Sequence, residues 1–329
     1  MSRWRKGTTN SKIILSCFGL SLLLGLSLSA PLLCNSKPFV ISYQNHLYFP
    51  FLKHYPAETF GDFTAILPNY KIIAKSSDWS IFPLVPYGEN ETMEHLTSPP
   101  PTPPDKRNWL GTDDRGRDVL TRLWYGLRNS LSFALCAWFG IVVFAIFFGL
   151  LPAYFGGKVD FIAQRSTEIW QTLPGTYVIL FFLGIFSGNF FLLITLWTVL
   201  GWVPLASLLR SEGLKLRQLP YIASARTLGL SHIQIFFHHI LRNAFTPILT
   251  LSPFIIAYAI IGISALDYLG LGLPPPTASW GELLRQGKEN FSCWWLIVFP
   301  FFSLFIILFL LLLLGEAIRQ HLQKKVRYL

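Results

Sequence analysis

Five long stretches of the chain contain no aspartate, glutamate, lysine or arginine, and their lengths are those of membrane-spanning helices. The stretches are residues 13–36, 129–157, 169–209, 243–266 and 294–315. About 20 apolar residues in an α-helix cross the roughly 30 Å hydrocarbon core of a bilayer. Residues 169–209 are long enough for two crossings, and Ser187, Gly188 and Asn189 suit a tight turn between them. The pattern therefore predicts six transmembrane helices.

The six predicted helices lie at residues 13–33, 130–154, 172–187, 190–210, 246–268 and 295–315. The first follows three basic residues, Arg3, Arg5 and Lys6, as the apolar core of a cleaved signal peptide would. It is longer than such a core, and cleavage after Ala30 would leave Pro31 as the first residue. We therefore interpret it as a retained transmembrane helix.

Composition and charge support this reading. The chain of 329 residues is 52% hydrophobic and 13% charged, about half the charged share of a soluble domain. With a cytoplasmic N-terminus, the inner segments carry 15 of the 27 lysines and arginines, and 10 lie in one long outer segment, 34–129. Because short loops decide orientation, both termini are predicted to be cytoplasmic. The net charge of +10 then reflects membrane topology, and no nucleic-acid partner is expected.

The outer segment 34–129 is the only sizeable part outside the predicted helices. Residues 39–51 have the β-branched and aromatic content of strands, and Pro50 should end the pairing. Residues 98–104 are predicted to form a stiff polyproline spacer before the membrane core. Cys34 and Cys293 could form a disulfide, but two separate thiols are the favoured interpretation. The four cysteines have no metal-binding spacing.

A polar motif, here called the outer signature, precedes the second predicted span. Its residues are Gly111-Thr112-Asp113-Asp114-Arg115-Gly116-Arg117-Asp118. Thr112 or Asp113 could cap an amphipathic helix. That helix would place Val119, Leu120, Leu123, Trp124 and Leu127 on its apolar side and Arg117, Asp118, Arg122 and Arg128 on its charged side. Periodicity alone favours a helix on the outer membrane surface. We also predict an ion pair between Arg117 or Asp118 and the loop at 274–282; the alternative is that both face water.

A second pattern lies in the cytoplasmic segment 211–245. Residues 223–228 have helical content, Gly229 can end that helix in a left-handed conformation, and Ser231 can cap the next helix. Two short helices should therefore meet at Gly229, an arrangement here called the elbow. A connection of about 35 residues is long for a loop with nothing to bind.

Three motifs resemble those of a known family. The outer signature matches Gly-Thr-Asp-x-x-Gly-Arg-Asp in full. Ala223-Ser224-Ala225, Gly229 and His239-Ile240-Leu241-Arg242 keep the spacing of a Glu-Ala-Ala, Gly, Ile-x-Leu-Pro motif, with its leading Glu, second Ala, Ile and Pro replaced. The loop 266–281 is similar to Leu-Gly-Leu-Gly, Pro-Pro and Ser-Trp-Gly. The chain thus resembles the inner-membrane permease subunits of ABC importers of the oligopeptide and dipeptide class, and its outer segment looks most like the microcin-C-type peptide permeases.

The resemblance implies an all-α, type I ABC-importer permease with six transmembrane helices. It divides the chain into an N-terminus with the first helix (1–36), a periplasmic segment with a Pro-rich linker (37–107) and a core permease domain (108–329). Such a subunit lies in the bacterial inner membrane, has no catalytic residue, metal or cofactor, and passes peptides or peptide-like solutes. The implied partners are a second homologous permease, ABC ATPase subunits, a periplasmic solute-binding protein and membrane lipid.

The resemblance also implies that the elbow docks into a cleft of the ATPase. The implied coupling residues are Ala223, Ser224, Ala225, Gly229, Ile233, Phe236 and Leu241. Small side chains let a helix enter a groove closely, and Ile233 and Phe236 offer apolar anchors. The implied outer-signature site comprises Gly111, Thr112, Asp113, Gly116, Arg117 and Asp118. Arg242 in place of the family's proline should let the helix run on toward the fifth span.

Other function classes fit the sequence less well. Related permeases carry nickel or other small solutes. A membrane enzyme would need ligands such as Glu168, His238 and His239, but adjacent histidines point about 100° apart on a helix. A stand-alone secondary transporter would use charged residues in its spans, although backbone carbonyls can also bind coupling ions. Asp267, at the outer end of the fifth span, could reach toward the headgroups; capping of the following loop is preferred.

Overall fold

The computed structural model describes residues 2–61, 68–93, 96, 98–186 and 188–326. The helices are α1 Ser2–Leu33, α2 Tyr70–Ser76, α3 Val119–Ala145, α4 Leu151–Phe155, α5 Gly157–Gln171, α6 Gly175–Ile185, α7 Phe190–Gly201, α8 Val203–Leu216, α9 Pro220–Thr227, α10 His232–Ile235, α11 Arg242–Tyr268, α12 Trp280–Glu289 and α13 Trp295–Val326. The strands are β1 Val40–Tyr43, β2 His46–Tyr48 and β3 Trp79–Ile81. The fold is mainly helical, as predicted, with a small sheet in the outer segment.

Within the described residues, four helical stretches are long and apolar enough to span a membrane. They are Ser16–Leu33, Val119–Phe155, His232–Tyr268 and Trp295–Leu322. Two pairs of shorter helices pass the same test together, α5 with α6 and α7 with α8, but they bend by 68° and 44°. The count reaches six if each bent pair crosses the membrane once, so six spans stay a prediction.

The helix predicted at 172–187 is present as α6, but it follows α5 at a bend; the helix predicted at 190–210 is divided into α7 and α8. Pro174 separates α5 from α6, and Pro204 lies in the first turn of α8. Proline lacks a backbone N–H and is accepted at the start of a helix rather than in its interior. The chain therefore bends where the apolar run continues without a break. Ser187, part of the predicted turn, lies outside the described residues.

The second and fifth spans are longer than the apolar runs that predict them. α3 and α4 are joined by a π-helical segment, Ile146–Leu150, and α10 and α11 by another, Phe236–Leu241. The fifth span therefore continues into the elbow without interruption. The helix runs through Arg242, as predicted from the replacement of the family's proline.

The chain divides into two compact units. One contains Ser130–Pro274 with the beginning of α1 and most of α13, and the other contains Leu23–Asn129 and Pro275–Ser303. In the first unit Trp138 Nε1 donates a hydrogen bond of 2.8 Å to the Ser252 hydroxyl, which links α3 to α11. An apolar cavity of about 600 Å³ lies between α3, α6, α7, α8 and α11. Interhelical hydrogen bonds such as that of Trp138 help to hold helices together in lipid, where burial of apolar surface contributes little to helix association.

The outer segment contains an antiparallel sheet in the order β2-β1-β3. β1 and β2 meet at Gln44 and Asn45, whose φ angles of 52° and 62° suit a tight hairpin turn. Ile41 packs beneath the sheet with Phe60. The strand content of residues 39–51 is therefore confirmed. β3 has only three residues, too few for an alternating pattern to predict it.

The Pro-rich stretch 98–104, predicted as a stiff polyproline spacer, is hydrogen-bonded to the outer signature. Thr102 is buried, its N–H donates to Thr112 Oγ1 at 2.7 Å, and its carbonyl accepts from the Thr112 N–H at 3.0 Å. A polyproline segment has no internal hydrogen bonds, so its backbone groups are open to such pairing. Cys34 and Cys293 are free thiols, as the sequence favours, and burial raises the pKa of Cys34 to about 12.

Candidate functional site

The outer signature forms a closed turn. Thr112 and Asp118 face each other as an antiparallel bridge, and the Asp113 N–H donates to the Arg117 carbonyl at 2.9 Å. Asp113 Oδ1 accepts from the N–H groups of Arg115 and Arg117 at 3.0 and 2.8 Å. An aspartate that binds nearby backbone amides in this way favours a turn over a helix. The signature therefore ends before the helix starts.

The cap of α3 is Asp118, and the prediction that Thr112 or Asp113 caps this helix is wrong. Asp118 Oδ2 accepts from the N–H and the hydroxyl of Thr121 at 2.8 and 3.0 Å. Asp113 cannot play this part, because its carboxylate already holds the turn together. Asp118 is 2% exposed, and burial raises the pKa of its carboxyl to about 6.

Four charged side chains, here called the outer ion network, are buried together. They are Asp113, Arg117, Arg122 and Glu282. Arg117 Nη2 lies 2.6 Å from Asp113 Oδ2 and 3.3 Å from Glu282 Oε1. Arg122 Nη2 donates to Glu282 Oε2, and Arg122 Nε lies 3.6 Å from Asp113 Oδ2. Two positive and two negative groups balance, which lowers the cost of removing them from water.

Arg122 also binds the backbone of the loop that leads to α12. Its Nη1 donates to the carbonyls of Pro276 and Glu89 at 3.0 and 3.2 Å, and its Nη2 donates to the Thr277 carbonyl at 2.9 Å. The rigid, many-donor guanidinium suits this convergence of acceptors better than a lysine would. One fully buried side chain therefore ties α3 to the loop and to α12.

The predicted ion pair with the loop at 274–282 is confirmed, because Arg117 reaches Glu282. The predicted surface helix is wrong, because Arg117 and Arg122 are 2% and 0% exposed. Burial opposes the charge of Arg117, but Asp113 and Glu282 raise its pKa above the ordinary value. Helical periodicity does not reveal the part that Arg122 plays, since its countercharge lies 160 positions away. The available signal was Glu282, the only acidic residue in 274–285.

Two tryptophans and a glycine complete the packing around the outer signature. Trp295 Nε1 donates to the Thr112 carbonyl at 3.1 Å, and Trp280 Nε1 donates to the Leu123 carbonyl at 2.9 Å. Gly111 has a φ of +78°, and a Cβ there would lie 2.8 Å from the Thr102 carbonyl oxygen. This position therefore needs glycine both for its backbone conformation and for space.

The elbow has the predicted form. α9 ends in a Schellman motif, in which the Gly229 N–H donates to the Arg226 carbonyl at 3.0 Å and the Leu230 N–H donates to the Ala225 carbonyl at 3.2 Å. Gly229 has a φ of +81°. The Ser231 side chain then caps α10 in a capping box with Gln234. Both helix ends are therefore satisfied by residues within the elbow itself.

The coupling residues predicted from the resemblance divide into exposed and buried sets. Ala223, Ser224, Gly229 and Ile233 are exposed, Leu241 is half-buried, and Ala225 and Phe236 are buried. Phe236 packs on Tyr154, with ring centres 5.9 Å apart, so it is not available as the predicted anchor. Leu228, which is not among the predicted anchors, is 81% exposed beside Gly229.

The remaining polar candidates have local explanations. Asp267 Oδ1 accepts from the Leu273 N–H at 2.7 Å, so it caps the following loop, as preferred from the sequence. Glu168 accepts from Gln164 Nε2 at 2.9 Å and pairs with Arg165. Across the residues that the structure describes, no group of three or more histidine, cysteine and acidic side chains is placed to hold a metal ion.

The apolar helices of membrane length place the chain among multi-pass membrane proteins. Sequence comparison identifies the family: residues 141–328 match the binding-protein-dependent transport system inner membrane component, and the chain belongs to this family. It is an inner-membrane permease subunit of an ABC importer of the oligopeptide and dipeptide class, a transport protein rather than an enzyme. The family implies ATPase and solute-binding partners.

Relatives differ in how much of the chain they match. The inner membrane ABC transporter permease protein YejE of Escherichia coli (strain K12) is 36% identical, over 97% of this chain and 95% of the relative. The peptidoglycan transport system permease protein YejE of Agrobacterium fabrum is 33% identical, over 96% and 91%. The oligopeptide transport system permease protein OppC of Bacillus subtilis is 31% identical, over 68% and 74%. The first two matches therefore include most of the outer segment.

Proposed function

We propose that this permease carries peptides or peptide-like solutes across the bacterial inner membrane, driven by ATP hydrolysis in partner subunits. Relatives named for oligopeptide, dipeptide and peptidoglycan transport support this cargo. Oligopeptide and dipeptide transport are named directly for two of these relatives, which favours a peptide cargo. A microcin-C-type peptide is a narrower candidate, supported by the resemblance of the outer segment.

The proposed complex contains this subunit, a second homologous permease, two ATPase subunits or one double-headed ATPase, and a periplasmic solute-binding protein. The distribution of lysine and arginine supports cytoplasmic N- and C-termini. In this orientation the segment 37–107 is periplasmic and the core permease domain is 108–329. The outer signature then lies on the periplasmic side, where its buried ion network holds the start of the second span against α12.

The elbow is the proposed contact with an ATPase, and its exposed apolar side chains carry this proposal. Leu228 and Ile233, on either side of Gly229, are 81% and 72% exposed. Large apolar side chains on the water side of a protein commonly mark a binding surface. Ala223 and Ser224 are exposed on α9, which ends just before Leu228, and their small side chains allow close approach.

Cysteine cross-linking tests the proposed contact in the assembled complex. Leu228→Cys and Ile233→Cys, each labelled with a maleimide that carries a photoreactive benzophenone, should each cross-link to an ATPase subunit on illumination. Lys158→Cys, another exposed residue of a predicted inner segment, is the matched control and should cross-link much less. Equal cross-linking from all three positions, or none from the elbow, would exclude this contact.

Uptake into membrane vesicles tests the cargo. Vesicles containing the complex, its solute-binding protein and internal ATP should take up a labelled tripeptide. Unlabelled peptides should compete with this uptake, whereas free amino acids and nickel ions should not. Competition by nickel with no effect of peptides would contradict the proposed cargo and favour the alternative solute.

A further inference from the structure

Tyr154 in α4 joins the second span to the elbow. It is 2% exposed, and its hydroxyl lies 2.9 Å from His232 Nδ1. Its ring centre is 5.9 Å from the rings of both His232 and Phe236. The Arg226 guanidinium carbon lies 5.6 Å from the same ring centre. Three residues of the elbow and its following helix therefore surround one side chain of the second span.

These contacts come from both sides of the Gly229 turn. Arg226 belongs to α9, whereas His232 and Phe236 follow the turn. A rotation or shift of either short helix would therefore change at least one contact of Tyr154. The hydrogen bond is directional and the cation–π contact depends on distance, so the group resists relative movement of its parts.

Close to Tyr154, both the second span and the fifth span contain a π-helical segment. Ile146–Leu150 directly precedes α4, and Phe236 begins the segment that leads into α11. Such segments are rare and are frequently found at functional sites. Their position on both sides of this contact suggests a function in helix movement rather than in packing alone.

We propose that Tyr154 is the positioning residue that makes the second span move together with the elbow. ATP-driven displacement of the elbow then reaches the second span through the Tyr154–His232 hydrogen bond and the ring contacts. This inference rests on the proposed docking of the elbow to an ATPase. It goes beyond that proposal, because Tyr154 lies outside the outer signature and outside the motif that resembles the family's elbow.

Tyr154→Phe tests the inference, because it removes the hydroxyl and keeps the ring. The variant is assembled with its permease partner and ATPases, and ATP hydrolysis is measured with and without the solute-binding protein. Assembly and basal hydrolysis should be unchanged. Stimulation by the solute-binding protein should fall about fivefold, equivalent to the roughly 1 kcal/mol of one hydrogen bond.

Tyr125→Phe is the matched control. Tyr125 lies in the same span, and its hydroxyl donates to the Cys34 carbonyl at 3.1 Å, so the variant also loses one hydrogen bond. Stimulation should stay at the wild-type level in this control. In a double-mutant cycle, His232→Gln should cause a smaller loss in Tyr154→Phe than in the wild type, because the hydrogen bond that both substitutions remove is then already absent and only the His232 ring contact is left to lose.

Three results would overturn the inference: normal stimulation in Tyr154→Phe, an equal loss in Tyr125→Phe, or strictly additive losses in the cycle. Failure of the underlying proposal gives a different result. In that case Leu228→Cys does not cross-link to the ATPase, whatever the behaviour of Tyr154→Phe. Cross-linking with normal stimulation in Tyr154→Phe contradicts the inference alone.

Discussion

The charged side chains of the outer ion network are buried against partners within the chain, whereas large apolar side chains of the elbow are exposed. In the network, Asp113, Arg117 and Arg122 are at most 2% exposed and find their partners within the chain. In the elbow the backbone is satisfied locally, but Leu228 and Ile233 are left largely exposed. The charges of the network are therefore compensated within the chain, whereas the elbow surface exposes large apolar side chains, as interfaces do.

This difference separates two demands on a permease. Desolvation offsets much of the attraction between buried charges, but losing any one member of the network is costly because it leaves another charge uncompensated. An exposed turn whose helix ends are satisfied by its own caps can keep its shape without contacts to another protein. We therefore expect substitutions in the network to reduce the stability of the subunit, and substitutions on the elbow surface to reduce complex formation.

The largest expected effect is that of Arg122→Ala. It removes the donor to Glu282 and to two loop carbonyls, and should destabilise the subunit by about 3–5 kcal/mol. Thermal unfolding in detergent measures the change. Arg165→Ala breaks a pair whose side chains are 60% and 43% exposed and should cost less than about 1 kcal/mol. Similar losses in both variants would remove the distinction between buried and exposed pairs.

Asp118 should make stability depend on pH. Its pKa of about 6 in the folded protein lies above the unfolded value of roughly 3.9, so the folded state binds more protons between these values. Its contribution to stability therefore rises as the pH falls from 7 through 6 and levels off below about 4. The full change is up to about 3 kcal/mol.

The difference between wild type and Asp118→Asn isolates this effect, because asparagine can still cap α3. Unfolding is followed in detergent from pH 7.5 down to 4, the range set by these two pKa values. The substitution should stabilise the protein at neutral pH and remove this part of the pH dependence. Parallel pH profiles for the two proteins would contradict the assignment.

Two glycines with the same backbone conformation should respond differently to alanine. Gly111 and Gly229 have φ angles of +78° and +81°, but only a Cβ at Gly111 meets a backbone atom closely, the Thr102 oxygen at 2.8 Å. Gly229→Ala should cost about 1 kcal/mol of backbone strain. Gly111→Ala should cost about 2 kcal/mol more, since it adds a steric clash. Unfolding midpoints in detergent compare the two, and equal costs would show that the outer turn adjusts.

The smallest expected effect on stability is that of Leu228→Ser. Because this side chain is 81% exposed, the stability of the subunit should change by less than about 0.5 kcal/mol. The amount of ATPase that co-purifies with the permease should nevertheless fall. Leu205→Ser, at a position 2% exposed, is the control, and it should reduce the stability of the subunit itself. Unchanged co-purification in Leu228→Ser would remove this residue from the interface.

The elbow could be predicted almost residue by residue, and the outer signature could not. Gly229, Ser231 and Gln234 satisfy helix ends through bonds to residues a few positions away, so a short window of sequence contains the whole explanation. Arg122 bonds to Glu282, 160 positions along the chain. Helical periodicity places Arg122 on a polar face, but it cannot tell a face toward water from a face toward a buried carboxylate.

Whether an apolar residue of the elbow is exposed or buried could also be learned only from the tertiary structure, for the same reason. Ile233 and Phe236 are both apolar residues that follow the turn, yet Ile233 is 72% exposed and Phe236 is 6% exposed. The difference arises because Tyr154 of the second span covers Phe236. No local pattern contains that information.

By itself the sequence determined the membrane-length runs, the positions of the helix-ending glycine and caps in the elbow, and the family motifs. These features depend on composition over a bilayer thickness or on hydrogen bonds within a few residues. Only the tertiary structure decided the burial of the charges around Glu282 and the contact of Tyr154 with the elbow. Each of these depends on which distant segments pack together, because burial and charge compensation come from neighbours in space.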